Sequence, residues 1–406
     1  MTIDIAAIDF TSRNLNICTG NVNKAGQVQS KVNYTVECNG IKKGIVQDID
    51  TVSDVLYNSL KYIKTEHGIG IKSAYISVPG YKCIVNHNSV RENVYKQTVD
   101  EECLQSIKNK LLSVNKTDNY VVADIAVTKF LLDNNMEVRD PFGKNANTLS
   151  ASANVISISK DYLSILVKLF ENVGLNMDGI IMNTLSGLSM LPTSDSERSN
   201  IIIINISWEI TDITVCRCGK IIYTDTIHAG AKNIIKDVSI GLNINFEEAE
   251  NMLNNYPIAD TQYIKNDFET TVKTSENETI TFLLSDMIMF VKDRIYDIYE
   301  ICMDKLFKQG INFNDCYNVC VYGSDIERYT GYNDLAQETF KTGIKKIPYA
   351  FFEVEDIRFG TCAGIIRYIS HHPLLKKESE IVFKNTGREN KKDIIFKKFL
   401  RFMKID

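Results

Sequence analysis

The last sixteen residues have the spacing of a helix that binds a membrane surface. At helical spacing the large apolar side chains of 391–406 fall on one side and most basic side chains on the other. The segment has six basic and two acidic residues, so its net charge is +4, and residues 1–390 carry −9. Such a helix is typical of one that lies in the interface of an anionic membrane. The residues expected to bind the membrane are Lys391, Lys392, Ile395, Phe396, Lys397, Lys398, Phe399, Leu400, Arg401, Phe402, Met403 and Lys404.

The polar stretch 373–390 separates this segment from the rest of the chain and predicts a linker. A detached basic helix favours a membrane surface over packing on the body, which is the alternative interpretation. No apolar run approaches the roughly 18–20 residues that a spanning helix needs. The N-terminus has acidic residues and no basic region, so we expect no signal peptide and a cytoplasmic protein that is anchored peripherally.

The composition is that of a globular protein with well-formed cores. The 406 residues are 44% hydrophobic and 24% charged, and a chain of this length predicts about two to four domains. The net charge of −5 argues against a nucleic-acid-binding body. The ten cysteines have no paired spacing, so we expect reduced, buried side chains and no metal site. We interpret His371 and His372 as linker residues.

Two similar strand–turn–hairpin openings indicate an α/β fold with a duplicated lobe. Residues 3–9 predict a buried strand with a hairpin partner at 15–22, and 201–204 predict a second buried strand before a hairpin. A small α+β unit is predicted between pieces of the first lobe. The expected boundaries are 1–80 and 159–192 for the first lobe, 81–158 for the inserted unit, 193–232 and 313–372 for the second lobe, 233–312 for a helical subdomain, 373–390 for the linker and 391–406 for the terminal helix.

Four motifs, in order along the chain, resemble those of one protein family. Residues 40–48, GIKKGIVQD, are similar to its G-I-x-K-G-x-I-x-D, and residues 75–80, YISVPG, to its V-x-I-S-I-S/P-G. Residues 140–143, DPFG, resemble its D-P-x-G turn, and 227–250 resemble I-P-V-G-G…D-I-A-x-G-L…A-E. This is the bacterial cell-division family FtsA, and the resemblance is collinear over nearly all of 1–372. The family also carries its extra α+β unit between the halves of the first lobe.

The resemblance implies a two-lobed actin-like, ribonuclease H-like duplicated ATPase fold. It implies a protein that tethers filaments of the tubulin-like FtsZ to the inner face of the cytoplasmic membrane at the division septum, polymerises and contacts other division proteins. On the long helix predicted at 283–307, Lys292 and Arg294 match the region that receives the C-terminal peptide of FtsZ. The family's R-x-x-E-I resembles residues 294–298 of this chain, RIYDI. A solvated helix face is the alternative.

The nucleotide loops depart from the family pattern. Thr11 stands at the glycine position of the first loop. In the second loop Asn205 replaces an aspartate that helps to hold Mg²⁺, and residues 207–209, SWE, replace three glycines. One glycine, Gly323, is kept in the third loop. The candidate nucleotide-binding residues, in a degenerate site, are Asp9, Thr11, Ser12, Asn205, Ser207, Asp212 and Gly323.

Glycines let backbone N–H groups approach phosphate oxygens without a Cβ in the way. We therefore expect ATP and Mg²⁺ to bind weakly or not at all, with no hydrolysis and no catalytic residues. Trp208 is expected to fill the phosphate position, and Glu209 to repel an anionic ligand. Polar residues kept at loop tips without a ligand are the other interpretation of Asp9 and Asp212.

Two other function classes share this fold. A pilus-assembly scaffold of the PilM type lacks the basic amphipathic tail, so residues 391–406 argue against it. An actin-like kinase or chaperone ATPase needs the glycine loops that this chain has lost.

Overall fold

The computed structural model describes residues 4–113, 119–192, 200–274, 278–312, 317–350 and 352–374. The predicted helix 391–406 and nearly all of the predicted linker 373–390 lie outside the described residues. The helices are α1 (Ile49–His67), α2 (Glu101–Ser113), α3 (Lys160–Val173), α4 (Asn183–Ser189), α5 (Ala231–Gly241), α6 (Phe246–Asn255), α7 (Leu284–Lys308), α8 (Tyr332–Phe340) and α9 (Gly360–Ser370). The strands are β1 (Ile5–Phe10), β2 (Asn14–Val22), β3 (Val28–Glu37), β4 (Ile41–Lys42), β5 (Ile45–Val46), β6 (Ser73–Val78), β7 (Cys83–Asn93), β8 (Tyr120–Leu132), β9 (Met136–Val138), β10 (Thr148–Ser159), β11 (Asn176–Met182), β12 (Asn200–Ile206), β13 (Thr211–Arg217), β14 (Lys220–Ile227), β15 (Glu269–Lys273), β16 (Thr279–Leu283) and β17 (Asn318–Tyr322).

The first lobe is built on a five-stranded sheet in the order β11-β6-β1-β2-β3. β1 pairs antiparallel with β2 and parallel with β6, so the hairpin turn after β1 and the carboxyl end of β6 lie at the same edge. α1 packs against α3, while α9 packs across β1, β2 and β6 beside α4. β1 and β2 are buried along nearly their whole length, as expected for a sheet that is covered on both faces.

Helix α9 packs on the first lobe, so the expectation that all of 313–372 belongs to the second lobe is wrong for this helix. Cys362, Ile365 and Ile366 are fully buried in the first-lobe core. Gly364 lies directly on α4, where a Cβ would meet the Ser186 carbonyl oxygen at 2.5 Å. The chain crosses back to the first sheet because that sheet covers the apolar face of α9. The order of residues along the chain does not reveal this choice.

The inserted unit between β6 and α3 is an antiparallel sheet in the order β7-β10-β8-β9, with α2 packed against β7. Asn154 on β10 joins it to the second lobe. Its Nδ2 donates to the Gly219 carbonyl oxygen at 2.9 Å, and its Oδ1 accepts the Ile221 N–H at 3.0 Å. The inserted unit therefore contacts both lobes.

The end of α9 is docked on the inserted unit. His372 is buried, with Nε2 2.9 Å from the Ile125 carbonyl oxygen and 3.4 Å from the Asp124 carboxylate. The Tyr368 hydroxyl donates to the same carboxylate at 2.6 Å. The interpretation of His371 and His372 as linker residues is therefore wrong, because a His-Pro pair beside a polar stretch does not show that one of the rings is buried.

The second lobe repeats the opening of the first on a sheet in the order β14-β13-β12-β17. β12 pairs antiparallel with β13 and parallel with β17, as β1 does with β2 and β6. Ile201 and Ile203 face the core shared with the first lobe, whereas Ile202 and Ile204 face the second core. Both faces of β12 are covered, which accounts for its unbroken run of isoleucines.

Residues 233–312, which the sequence predicts as helical, combine α6, α7 and most of α5 with the β15–β16 hairpin. α5 packs on both α6 and α7. None of the helices within the described ranges is long and apolar enough to cross a membrane. Among the cysteines of those ranges, Cys218 is exposed and the others are buried.

Candidate functional site

The hairpin turns after β1 and β12 face a common cleft between the lobes. Six of the seven candidate residues line it: Asp9, Thr11, Ser12, Asn205, Ser207 and Gly323. The cavity between the described residues is about 40 Å³, measured as room for the centres of water molecules. One water needs about 10–15 Å³ on this measure. The cleft, as closed here, is therefore narrow, with room for the centres of only a few waters.

Thr11 closes the first turn on itself. Its amide and hydroxyl both donate to the Asn14 carbonyl oxygen, at 3.0 and 2.9 Å. Its Oγ1 accepts the N–H of Asn14 at 2.8 Å and that of Arg13 at 3.4 Å. The backbone donors of residues 11, 13 and 14 are thus used within the turn, where the fold would otherwise offer them to a phosphate.

The second turn also uses its polar groups internally. The Ser207 amide and hydroxyl both reach the Ile210 carbonyl oxygen, at 2.9 and 3.3 Å. The carbonyl oxygens of Ser207 and Trp208 accept the N–H groups of Ala231 and Lys232 at 3.0 and 2.9 Å. Free N–H groups at a helix N-terminus are what a bound anion needs, and at the start of α5 these carbonyls take that place.

Trp208 packs into the second-lobe core, so the expectation that it fills the phosphate position is wrong. It is 8% exposed, and its ring lies edge-on to Phe246 with 6.3 Å between centroids. The Arg13 guanidinium lies over it at 4.9 Å from the centroid. Gly230 makes this packing possible, since a Cβ there would meet the Trp208 carbonyl at 2.8 Å. Spacing alone does not reveal whether a turn side chain points into the cleft or into its own lobe.

Glu209 crosses the cleft to the first lobe. Its Oε2 accepts the Lys43 N–H at 2.9 Å, and its Oε1 lies 3.0 Å from Lys232 Nζ. Burial pushes the pKa of Glu209 up, but the Lys43 N–H, Lys232 and the Ser12 hydroxyl outweigh it and hold the pKa below its ordinary value. The carboxylate expected to repel a ligand is itself bound as an anion.

Asp9 lies on the floor of the cleft, 8% exposed. Its carboxyl accepts hydrogen bonds from Ser77, Asn16 and Thr361. Burial raises its pKa despite these donors. All three donors belong to elements packed in the first lobe, so Asp9 is fixed by its own lobe.

Gly323 and Asn205 approach each other closely on the second-lobe side. Gly323 has φ +128°, and a Cβ there would lie 2.3 Å from the Ile206 carbonyl oxygen and 2.9 Å from Asn205 Oδ1. Glycine is needed here for both its backbone angle and this contact. The kept glycine therefore has a packing role that does not require a nucleotide.

Asp212, the seventh candidate, is fully buried behind the cleft. It accepts a hydrogen bond from Asn183 Nδ2 of the first lobe at 2.7 Å, and others from the Thr226 hydroxyl and the Gly80 N–H. Burial raises its pKa. Two of its donors come from the first lobe, so Asp212 joins the two lobes.

The phosphate cradle of an actin-like ATPase does not fit these residues. Backbone N–H groups of both turns form hydrogen bonds within the turns. The Glu209 carboxylate accepts hydrogen bonds from the Lys43 N–H and from Lys232, so these donors are also occupied.

A family model described as "Cell division protein FtsA" matches residues 202–362. The FtsA protein of Bacillus subtilis is 25% identical over 337 residues, which cover 82% of this chain and 76% of that relative. The FtsA protein of Pseudomonas aeruginosa is 20% identical over 90% of this chain and 88% of its own length. The chain is therefore similar to FtsA cell-division proteins over most of its length. The match to the Staphylococcus epidermidis FtsA covers 67% of this chain and 59% of that relative, which is less than two thirds of its length.

Solved structures agree on the actin-like fold of this chain. The PilM-PilN type IV pilus biogenesis complex superposes with a TM-score of 0.59 at 11% identity, covering 90% of this chain and 98% of that chain. MreB5 of Spiroplasma citri bound to ADP superposes with a TM-score of 0.53 at 10% identity, covering 89% and 94%. At these identities the likeness shows the fold alone.

Two carboxyls that the sequence analysis missed lie beside Gly323. Burial raises the pKa of Asp325 to about 6 and that of Glu327 to about 7. Glu327 accepts the Tyr349 hydroxyl at 3.2 Å and the Gly323 N–H at 3.3 Å. The signal that could have found them is two acidic residues directly after a buried strand that ends at the cleft.

The candidate partner-binding residues Lys292 and Arg294 lie on α7, away from the cleft, and both are already in ion pairs. Lys292 Nζ is 2.8 Å from Asp260. Arg294 Nε is 2.5 Å from Asp237 on α5, and its Nη1 is 3.3 Å from Asp297. Their side chains are 29% and 26% exposed, so this is a half-buried charge cluster and not a fully solvated helix face.

Proposed function

We propose that this protein is a cell-division adaptor that tethers FtsZ filaments to the inner face of the cytoplasmic membrane. In this proposal it polymerises through its lobes, contacts other division proteins and does not hydrolyse ATP. The observation that carries the proposal is the similarity to FtsA cell-division proteins over 82% and 90% of this chain.

The membrane part of the proposal is supported by the charge and apolar pattern of residues 391–406. Each Lys or Arg near an anionic leaflet contributes about 1 kcal/mol, and the buried apolar side chains add to this. The +4 segment follows a body of −9, so the tail is the part of the chain suited to an anionic surface.

The partner part is supported by the cationic residues of α7. An acidic peptide suits a surface with Lys292 and Arg294, and it would compete there with Asp260 and Asp237 of the chain itself. We propose that the C-terminal peptide of FtsZ binds at this face by taking over part of these ion pairs.

The alternative function, a pilus-assembly scaffold, is supported only by similarity of fold. PilM-PilN superposes well at 11% identity, but such a likeness carries no function. The sequence relatives reported above are cell-division proteins. The kinase or chaperone class is disfavoured because the backbone N–H groups of both turns form hydrogen bonds within the turns and are not free to bind phosphate.

The test is to image fluorescently tagged full-length protein and a variant lacking 391–406 in the native cell. We expect a ring at the division site for the full-length protein and diffuse fluorescence for the truncated one. Diffuse full-length protein in dividing cells, or a ring that persists without the tail, would contradict the tethering proposal.

A further inference from the structure

The turn between β4 and β5 presents two backbone donors to the cleft. Lys43 and Gly44 have φ of +52° and +71°, the pattern of a tight two-residue hairpin turn in which neither central N–H is used by the strand ladder. The Gly44 N–H donates to Ser12 Oγ at 2.9 Å, and the Lys43 N–H donates to Glu209 at 2.9 Å. Ser12 and Lys43 belong to the first lobe, and Glu209 to the second.

The groups around the Glu209 carboxylate form an anion-binding set. They are a backbone N–H from Lys43, the Ser12 hydroxyl and the Lys232 ammonium. The Glu209 side chain is 15% exposed and that of Lys232 49%, so the carboxylate is shielded from water while its ion pair with Lys232 is open to it. Two of the three donors come from the lobe opposite the carboxylate.

Two further contacts join the lobes. Arg13 of the first turn forms an ion pair with Glu250 on α6 and lies over Trp208. Asp212 accepts the Asn183 amide of the first lobe inside the core. The contacts that join the lobes thus include a partly exposed ion pair and a buried hydrogen bond.

We propose that Glu209 is a built-in ligand that holds the two lobes closed in place of a nucleotide. A carboxylate on the same chain binds without the loss of translational and rotational freedom that a free anion must undergo, so a free anion is at a disadvantage for the same donors. The lobes would then close without nucleotide, and the closed state would be set by the chain itself. This inference does not depend on the division role, because it concerns only the purified protein.

The test compares wild type with Glu209→Gln and Glu209→Ala by amide hydrogen exchange and small-angle X-ray scattering. We expect exchange to rise about tenfold or more in three places: the 40–46 turn, the Gly80 segment and the 205–212 turn. The radius of gyration should also increase. Exchange in α2, far from the cleft, should not change, which shows that the variants fold. Glu300→Gln, an exposed glutamate on α7, is the matched control.

Chemical rescue separates a bound carboxylate from a merely structural side chain. Sodium acetate should restore protection in Glu209→Ala, while sodium chloride at equal ionic strength should not. If exchange rises only in the 40–46 turn and the radius of gyration is unchanged, Glu209 makes a local contact and the proposal is wrong. Unchanged exchange at all three places overturns it as well, and Glu209→Gln decides the matter if the alanine variant fails to fold.

Discussion

The Glu327 carboxyl, near the edge of the cleft, accepts hydrogen bonds from the Tyr349 hydroxyl and the Gly323 N–H. Burial disfavours its charged form. Its pKa is raised to about 7 from an ordinary value of 4.5. Between those pH values the folded protein binds a proton that the unfolded chain has released. The contribution of Glu327 to stability is therefore fully present below about pH 4.5 and is lost as pH rises through about 7.

Glu327→Gln should raise the melting temperature at pH 8 and leave it nearly unchanged at pH 5. The amide oxygen can accept the same bonds from Tyr349 and Gly323 and never becomes charged. We expect a gain of about 1–2 kcal/mol at pH 8 after partial solvent screening. Thermal unfolding at both pH values measures it, with Glu300→Gln as the exposed control. Equal melting curves for Glu327→Gln and wild type at pH 8 would show that burial does not raise the pKa of this carboxyl.

At the scale of elements, the sequence predicts those helices and strands whose formation depends on residues close together along the chain. The helical spacing of Val52, Leu56 and Ile63 predicts a helix in this region, and α1 spans Ile49–His67 with Asp48 as its N-cap. Glu209, Trp208 and α9 could not be placed in this way. Their partners lie far along the chain, and only the packing of the lobes brings them together. The raised pKa values of Asp325 and Glu327 likewise follow from burial, which residue order does not report.

The charge cluster on α7 gives a prediction that distinguishes loss of the Arg294 cation from loss of its ion pair with Asp237. Arg294→Glu should weaken binding of the acidic C-terminal peptide of FtsZ about tenfold or more, because the cation is lost. Asp237→Asn breaks the same ion pair but keeps the cation, so it should bind the peptide at least as tightly as wild type. Fluorescence anisotropy with labelled peptide measures both. Equal weakening in the two variants would mean that the ion pair matters for folding and that the peptide binds elsewhere.

At the scale of the whole molecule, the tail and the body have net charges of opposite sign. Phe399→Glu places a carboxylate in the apolar face of 391–406 and should release the full-length protein from anionic vesicles. Losing one buried aromatic side chain costs about 1.5–3 kcal/mol, which is about tenfold or more in partitioning. Flotation measures it, and added salt should weaken wild-type binding. Phe142→Glu, at a residue 47% exposed on the inserted unit, makes the same change on the body and should float like wild type. Equal flotation of Phe399→Glu and wild type would rule out this binding face.

The closed cleft leads to the last prediction, that ATP with Mg²⁺ binds in the millimolar range or weaker and is not hydrolysed. Two or three charged hydrogen bonds, each about 1.5–3 kcal/mol, are missing from the turns, and each 1.4 kcal/mol is about tenfold in affinity. In our proposal a ligand must also compete with Glu209 for the Lys43 N–H and the Lys232 ammonium. Calorimetry and phosphate release on protein lacking 391–406 measure this. Glu209→Gly removes the competing carboxylate, so it should bind ATP more tightly than wild type while remaining far weaker than micromolar. A micromolar dissociation constant for wild type would mean that the lobes open readily and that nucleotide, not Glu209, controls their closure.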